Sequence, residues 1–257
     1  MGSDGRDQAA TGSSAGWSAL CRIGGVATFV LMAYSLATMV QLVVLGGQPT
    51  TAAAAFSMLH NSRILGLLRL DLPTVLALPL YYFVFFGLFA ALRKSDAAYA
   101  TLSTSLVFVG VTLTLATPTA LSVLSLSDKY AAATAEPVRA QLLAAGEAVL
   151  ATDIWHGTGA IIGGILLQSG AVLISVVMLR GNVFAKAIAY VGIVTHGLDL
   201  AHCVLGPLLP GAGFVLMAIG GPLYLIWFPL VGHRLLQLGR RRASHSTDSR
   251  SLGSKPV

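Results

Sequence analysis

The chain has 257 residues, of which 55% are hydrophobic and 10% charged, with a formal net charge of +6 and a mean hydropathy of +0.79. In soluble globular domains about a quarter of all residues are charged, so this composition excludes an ordinary soluble domain and predicts a membrane protein. The excess positive charge lies in short connections between the apolar stretches and near the carboxyl terminus, where it is expected to attract anionic lipid headgroups. No folded basic face is visible, so nucleic-acid binding is not expected.

Six stretches are apolar enough to cross the hydrocarbon core, which takes about 20 residues of helix. They show none of the long alternation of a membrane β-barrel, so the sequence predicts an all-α polytopic bundle of six transmembrane helices. In chain order the stretches are 19–45, 72–92, 99–126, 157–179, 183–208 and 214–236.

Outside these stretches, residues 1–16 and 240–257 are too polar to bury a core, so we expect disordered ends around a membrane domain spanning 17–239. Segment 61–71 predicts either an interfacial helix or an extension of the second transmembrane helix, kinked at Pro73. Segment 127–151 predicts an amphipathic helix that begins near Glu136. It either roofs the outer mouth of the bundle or is a solvated linker.

The cations predict the topology. With a cytoplasmic amino terminus, twelve fall inside and four outside, which favours a multi-pass protein of a bacterial inner-type cell membrane with both termini in the cytoplasm. Its expected partners are the bilayer and, at the basic carboxyl-terminal tail, anionic lipids. The outer cations are Arg63, Arg69, Lys129 and Arg139; the inner ones are Arg6, Arg22, Arg93, Lys94, Arg180, Lys186, Arg234, Arg240, Arg241, Arg242, Arg250 and Lys255.

A stripe of ionisable residues within the fifth stretch is the strongest functional signal. His196, Asp199 and His202 recur every third residue and therefore lie roughly on one face of a helix. Counted from Lys186, they lie about 15, 20 and 24 Å into the membrane. Ionisable groups at such depth are costly and face a bundle interior or a wet cavity, so the stripe predicts a site.

More polar residues converge on the predicted outer side. Asp153 and His156 repeat the three-residue spacing at the start of the fourth stretch, and Arg69 and Asp71 precede the second. The small residues of the Gly-Ala-Ile-Ile-Gly run at 159–163 permit close helix approach, for which the fifth helix is the expected partner. This predicts an outward-facing polar pocket between the fourth and fifth helices, roofed by 127–151.

Several stretches resemble a bacterial multi-pass membrane family known as domain of unknown function 4386. The resemblance runs over about 19–239 and is carried by Leu-Leu-Arg-Leu-Asp-Leu at 67–72, Leu-Ser-Asp-Lys-Tyr-Ala-Ala-Ala-Thr at 126–134, and the run from Leu179 to Ile193. It implies a multi-pass membrane protein. That family has no established activity, so the resemblance implies no catalytic residues.

The cluster leaves several functions open. It can tie helices together, since buried polar groups need partners. It can serve proton or small-solute handling, because Asp and His are typical relay groups. A membrane-embedded metal-dependent enzyme is the alternative, with His156, His202 and Asp199 as zinc ligands, although the six-residue spacing of the histidines departs from the zinc-hydrolase helix motif. Haem with His156 and His202 as axial ligands is a further possibility. Whether the protein is an enzyme stays open.

Overall fold

The computed structural model describes the backbone of residues 4–252 and the side chains of residues 15–240. This part of the chain contains eleven α-helices and no strand, which confirms the all-α prediction. The helices are α1 (Asp4–Leu45), α2 (Ala52–Asn61), α3 (Arg63–Arg69), α4 (Leu72–Ala77), α5 (Leu80–Leu92), α6 (Ala97–Leu115), α7 (Ala120–Ala132), α8 (Glu136–Leu150), α9 (Thr158–Arg180), α10 (Lys186–Leu205) and α11 (Pro210–Leu252).

Among the residues that the structure describes, six segments are long and apolar enough to cross a membrane, in agreement with the predicted number. They are α1, α4 with α5, α6 with α7, α9, α10 and α11. Each packs against the next in chain order, and α11 returns to pack against α1, so the six form a closed ring. Large apolar side chains on the outside of the ring are exposed, as lipid-facing positions are: Val30, Val40, Phe83, Phe86, Val109, Ile162, Val194 and Phe214.

Proline divides two of the predicted stretches. The third stretch is interrupted around Pro118, where α6 has ended at Leu115 and α7 begins at Ala120. Proline lacks an N–H group and disfavours helical geometry at the residue before it, so a helix ends or bends there. The second stretch is interrupted in the same way between α4 and α5, beside Pro79. α7 therefore follows α6 as a separate helix.

Helices α2, α3, α7 and α8 form a second layer at one end of the ring, which we call the cap layer. It has its own buried core, centred on Phe56, Leu59, Val123 and Leu150. Gly146 of α8 packs directly on α2 in this core. The predicted roof is therefore corrected: segment 127–151 comprises the end of α7 and all of α8, and α8 packs on α2 and α7 instead of covering the fourth and fifth transmembrane helices. Gly146 and Leu150 of α8 are buried within the cap layer, and Gly146 packs against Ala52 and Phe56 of α2.

Backbone turns and caps fix the chain where it enters and leaves the cap layer. α1 is followed by Gly46 with φ of 81°, a left-handed geometry that glycine adopts without strain. Ser62 caps α3 by accepting from the amide of Leu65 at 3.3 Å. Glu147 of α8 accepts from the amide of Ala52 at 2.7 Å, which satisfies an unpaired donor in the first turn of α2.

The small-residue run at 159–163 packs against a different helix from the predicted one. A Cβ added at Gly163 would lie 2.5 Å from Thr114 Oγ1, and one at Gly110 would lie 2.5 Å from the Gly163 carbonyl oxygen. The run therefore meets α6, not α10. The glycine at 110 is the physical reason, since only two facing glycines allow backbones this close. The adjacent Gly164 is the glycine that faces α10, beside Cys203.

The ends predicted to be disordered lie partly outside the described residues, which exclude 1–3 and 253–257. Within the described part the backbone at both ends is helical: α1 begins at Asp4, and α11 continues to Leu252. Each end prolongs a transmembrane helix, so the unfavourable step of helix nucleation is already complete there.

Candidate functional site

A buried polar cluster lies where α9, α10 and α11 meet inside the ring. It comprises Gln168 of α9, His196 and Asp199 of α10, and Tyr224 of α11. Counted along their helices from Arg180, Lys186 and Arg234, the four lie about 15–20 Å from one end of the bundle. That is the middle of a hydrocarbon core about 30 Å thick. We call this set the central cluster.

Hydrogen bonds join all three helices in the central cluster. Gln168 Oε1 lies 2.7 Å from His196 Nδ1, and Gln168 Nε2 donates to Asp199 Oδ2 at 3.3 Å. The Tyr224 hydroxyl donates to the same carboxylate oxygen at 2.6 Å and lies 3.2 Å from Gln168 Nε2. Because Gln168 presents its amide N–H groups to Asp199, its carbonyl oxygen faces the imidazole. His196 Nδ1 therefore carries the proton that it donates to Gln168.

Two polar atoms of this region are buried without a hydrogen-bond partner in the described structure: Nε2 of His196 and Nε1 of Trp227. The two rings meet edge to face, with centroids 4.5 Å apart at 89°. Both side chains are 0% exposed. Since neutral His196 donates from Nδ1, its Nε2 is a basic lone pair. The cluster therefore contains a buried lone pair beside the aromatic rings of Tyr224 and Trp227, on a histidine that Gln168 links to the carboxylate of Asp199.

The close packing of α11 shapes the surroundings of Asp199. A Cβ at Gly220 would lie 3.1 Å from Asp199 Oδ1, so glycine leaves room for this carboxylate against α11. Pro222 and Pro229, both inside α11, flank Tyr224 and Trp227 in sequence. Proline within a transmembrane helix is tolerated where neighbouring groups satisfy the freed backbone carbonyls.

His202, the third member of the predicted stripe, has a partner outside the central cluster. Its Nδ1 lies 2.9 Å from the carbonyl oxygen of Gly213 near the start of α11. The backbones approach closely here, because a Cβ at Gly213 would lie 2.6 Å from the Cα of Gly206. His202 thus joins α10 to α11 one to two turns from His196.

Asp153 and His156 pair with each other instead of with the stripe. Asp153 Oδ1 accepts from the backbone amides of Trp155 and His156 at 2.9 and 2.8 Å, and lies 2.9 Å from His156 Nδ1. Asp153 is buried, whereas the His156 side chain is 72% exposed. This arrangement shapes the turn that precedes α9. The predicted approach of this pair to Asp199 and His202 depended on 159–163 packing against α10, and that packing is with α6.

Asp71 and Arg69 hold the cap layer in place. Asp71 is 0% exposed and accepts hydrogen bonds from the amide and hydroxyl of Thr119 and from the amide of Ala120. It therefore caps the start of α7 from a distant part of the chain. Arg69 donates from Nη2 to the carbonyl oxygen of Gly47 at 2.6 Å, which ties α3 to the end of α1.

The predicted zinc ligands each have a protein partner of their own: Asp153 for His156, the Gly213 carbonyl for His202 and Tyr224 for Asp199. Among the residues that the structure describes, no group of three or more His, Cys, Asp or Glu side chains is arranged to hold a metal ion. Zinc binding therefore stays a prediction from sequence.

Gln168, Tyr224 and Trp227 belong to the site but are not among the residues that the sequence predicts. Gln168 is an amide side chain in the middle of a mostly apolar helix, at a depth that matches His196. A buried polar group at matching depth is the signal that could have identified it. Tyr224 and Trp227 carry no such signal, because aromatic residues are common in membrane helices.

The chain matches no family model, no curated protein and no solved structure. The resemblance to domain of unknown function 4386 therefore stays a prediction.

Proposed function

We propose that this multi-pass membrane protein takes up and releases a proton at the central cluster, in the movement of protons or of a small polar solute. The observation that carries the proposal is the unpartnered Nε2 of His196, enclosed at mid-membrane and linked through Gln168 to a carboxylate. Buried polar atoms in a purely structural cluster are normally satisfied. An imidazole with a free basic nitrogen is instead suited to receive a proton.

Hydrogen bonds connect the two ionisable residues of the central cluster. Asp199 is one end, contacted by Tyr224 and Gln168, and His196 is the other. The Tyr224 hydroxyl also lies 3.3 Å from His196 Nδ1, so it contacts both ionisable groups. Tyr224 is thus a positioning residue for both ends.

A cell-membrane location with both termini in the cytoplasm is part of the proposal. It is supported by the division of cations along the chain. Arg93, Arg180 and Lys186 lie at one end of the ring, where Arg180 contacts Asp96 at 3.5 Å. The cap layer carries the four cations assigned to the outside. The positive-inside rule then places the cap layer outside.

Reconstitution into liposomes with an internal pH-sensitive dye tests the proposal. We expect a proton flux in the unmodified protein that Asp199→Asn removes, because the amide keeps the shape of the side chain but carries no exchangeable acid proton. His196→Gln should also remove it. Asp128→Asn, which changes an exposed carboxylate in the cap layer, is the matched control and should leave the flux unchanged. Folded protein with no flux above empty liposomes would contradict the proposal.

A structural role, in which the central cluster ties helices together, is the second candidate. It is favoured because hydrogen bonds of the cluster connect each pair among α9, α10 and α11. Under that function, Asp199→Asn should be tolerated with no change in any pH-linked behaviour, since uncharged polar groups are less costly in a membrane. Tyr224→Phe should then lower thermal stability in detergent without any effect on protons.

A further inference from the structure

A cleft of about 490 Å³ opens at the end of the bundle that carries Arg93, Arg180 and Lys186. It lies between α11 and the connection from α9 to α10, and we call it the basic-end cleft. One part of its lining is polar and the other apolar. The polar residues are Asn182, His233, Arg234 and Gln237, and the apolar ones include Phe184, Ile188 and Leu230. A cleft of this volume is in the range of small-ligand sites.

The guanidinium of Arg234 is held in place at the polar part. Its Nε donates to the carbonyl oxygen of Val183 at 2.6 Å, and Nη1 donates to Gln237 Oε1 at 3.2 Å. These bonds use two of the five N–H groups of the side chain. The residues that line the cleft include no Asp or Glu. A fixed arginine that faces no carboxylate in its cleft is suited to a phosphate group.

The start of α10 adds to this positive environment. The helix has 20 residues, and Ala185 at its N-cap provides no side-chain hydrogen bond. The amide of Ile188 donates to the carbonyl oxygen of Ala185 at 3.0 Å, and the positive end of the helix dipole lies beside the cleft. Ala185 and Ile188 both line the cleft. His233 Nε2 accepts a hydrogen bond from Gln237 Nε2 at 2.8 Å, which leaves the Nδ1–H group of His233 as a further donor.

The apolar part of the cleft continues onto the lipid-facing surface of α11, where Leu230 is 39% and Ile226 49% exposed. A free anion would not contact this apolar surface, whereas an acyl chain would cover it. We propose that the basic-end cleft binds an anionic phospholipid, with its phosphate at Arg234 and His233 and an acyl chain along Leu230 and Ile226. Basic pockets between transmembrane helices bind lipid headgroups in this way. The proposal does not depend on the proposed function.

Native mass spectrometry of the full chain in detergent, titrated with phosphatidylglycerol, phosphatidylcholine or inorganic phosphate, tests this site. We expect phosphatidylglycerol to bind more tightly than the other two probes. Arg234→Gln should weaken its binding about tenfold, as expected for loss of a charge-assisted contact. Arg180→Gln is the matched control, because Arg180 is a basic residue at the same end that does not line the cleft. It should leave the affinity unchanged.

Leu230→Trp fills the apolar part without altering a charge, and it should also weaken phosphatidylglycerol binding. It serves as the deciding variant if Arg234→Gln fails to fold, since the bond to Val183 is lost in that protein. Unchanged affinity in Leu230→Trp and in any folded Arg234→Gln protein would overturn the proposal. An equal loss in Arg180→Gln would overturn it too. Displacement of the lipid by inorganic phosphate at comparable concentration would show a free-anion site and contradict the lipid assignment.

Discussion

Replacing Asp71 with alanine should strongly destabilise the cap layer. Asp71 lies between α3 and α4, yet its carboxylate receives three hydrogen bonds at the start of α7. Both Asp71 and Thr119 are buried, so water cannot replace the lost acceptor without opening the structure. The substitution therefore leaves two backbone amides and one hydroxyl without partners.

The magnitude follows from those three groups. Each buried donor left unsatisfied costs about 1–3 kcal/mol. Because the hydroxyl of Thr119 can rotate toward another acceptor, the two amides dominate, and we expect a loss of about 2–6 kcal/mol in the free energy of unfolding.

Denaturant unfolding of purified protein in detergent, followed by circular dichroism, measures this loss. Asp128→Ala is the matched control in the same layer. Its carboxylate pairs with Arg63 at 2.8 Å, but the two side chains are 49% and 66% exposed. Exposed pairs contribute about 0–1 kcal/mol. Equal destabilisation by Asp71→Ala and Asp128→Ala would refute the assignment of Asp71 as a buried helix cap.

Three further substitutions and one topology experiment test other parts of the account. Gly110→Ala and Gly163→Ala should each sharply reduce the yield of folded protein. Gly197→Ala is the control and should not, because nothing lies within 4 Å of the added Cβ. Equal yields would contradict the close packing of α6 on α9. Glu147→Ala should lower the free energy of unfolding by about 1–2 kcal/mol, because it leaves the amide of Ala52 unpaired. Glu136→Ala, at an exposed position of the same helix, is the control and should cause almost no change. The denaturant midpoint measures both effects. A reporter inserted between α7 and α8 should read external and one after Val257 cytoplasmic, and the opposite pattern would overturn the topology.

The number and order of transmembrane helices could be predicted because membrane crossing demands long apolar runs, and these are legible in one sequence. His196 and Asp199 could be singled out for a related reason, since ionisable groups are rare at that depth. Helix partners are harder to predict. The run at 159–163 can pack against any helix that has a small residue at the matching depth. Gly110 on α6 is that residue, although the sequence had favoured α10 as the partner helix.

The polar residues near the ends of the helices show the same limit. Asp71, Asp153 and His156 are as polar as Asp199, so the sequence grouped them into one pocket. In the structure Asp71 caps α7, and Asp153 binds the turn that contains His156. Which donors a carboxylate meets depends on the fold of the whole chain, which composition and spacing do not report. The same holds for Tyr224, whose hydroxyl matters only because α11 places it beside Asp199.

Infrared difference spectroscopy during a pH titration of the protein in lipid nanodiscs tests the central claim most directly. If the central cluster takes up and releases a proton, a carboxyl band should appear and disappear with pH in the unmodified protein. It should be absent in Asp199→Asn and shifted in Tyr224→Phe, which lacks the hydroxyl that contacts this carboxylate at 2.6 Å. A spectrum with no band that depends on Asp199, over the whole pH range in which the protein stays folded, would contradict the claim.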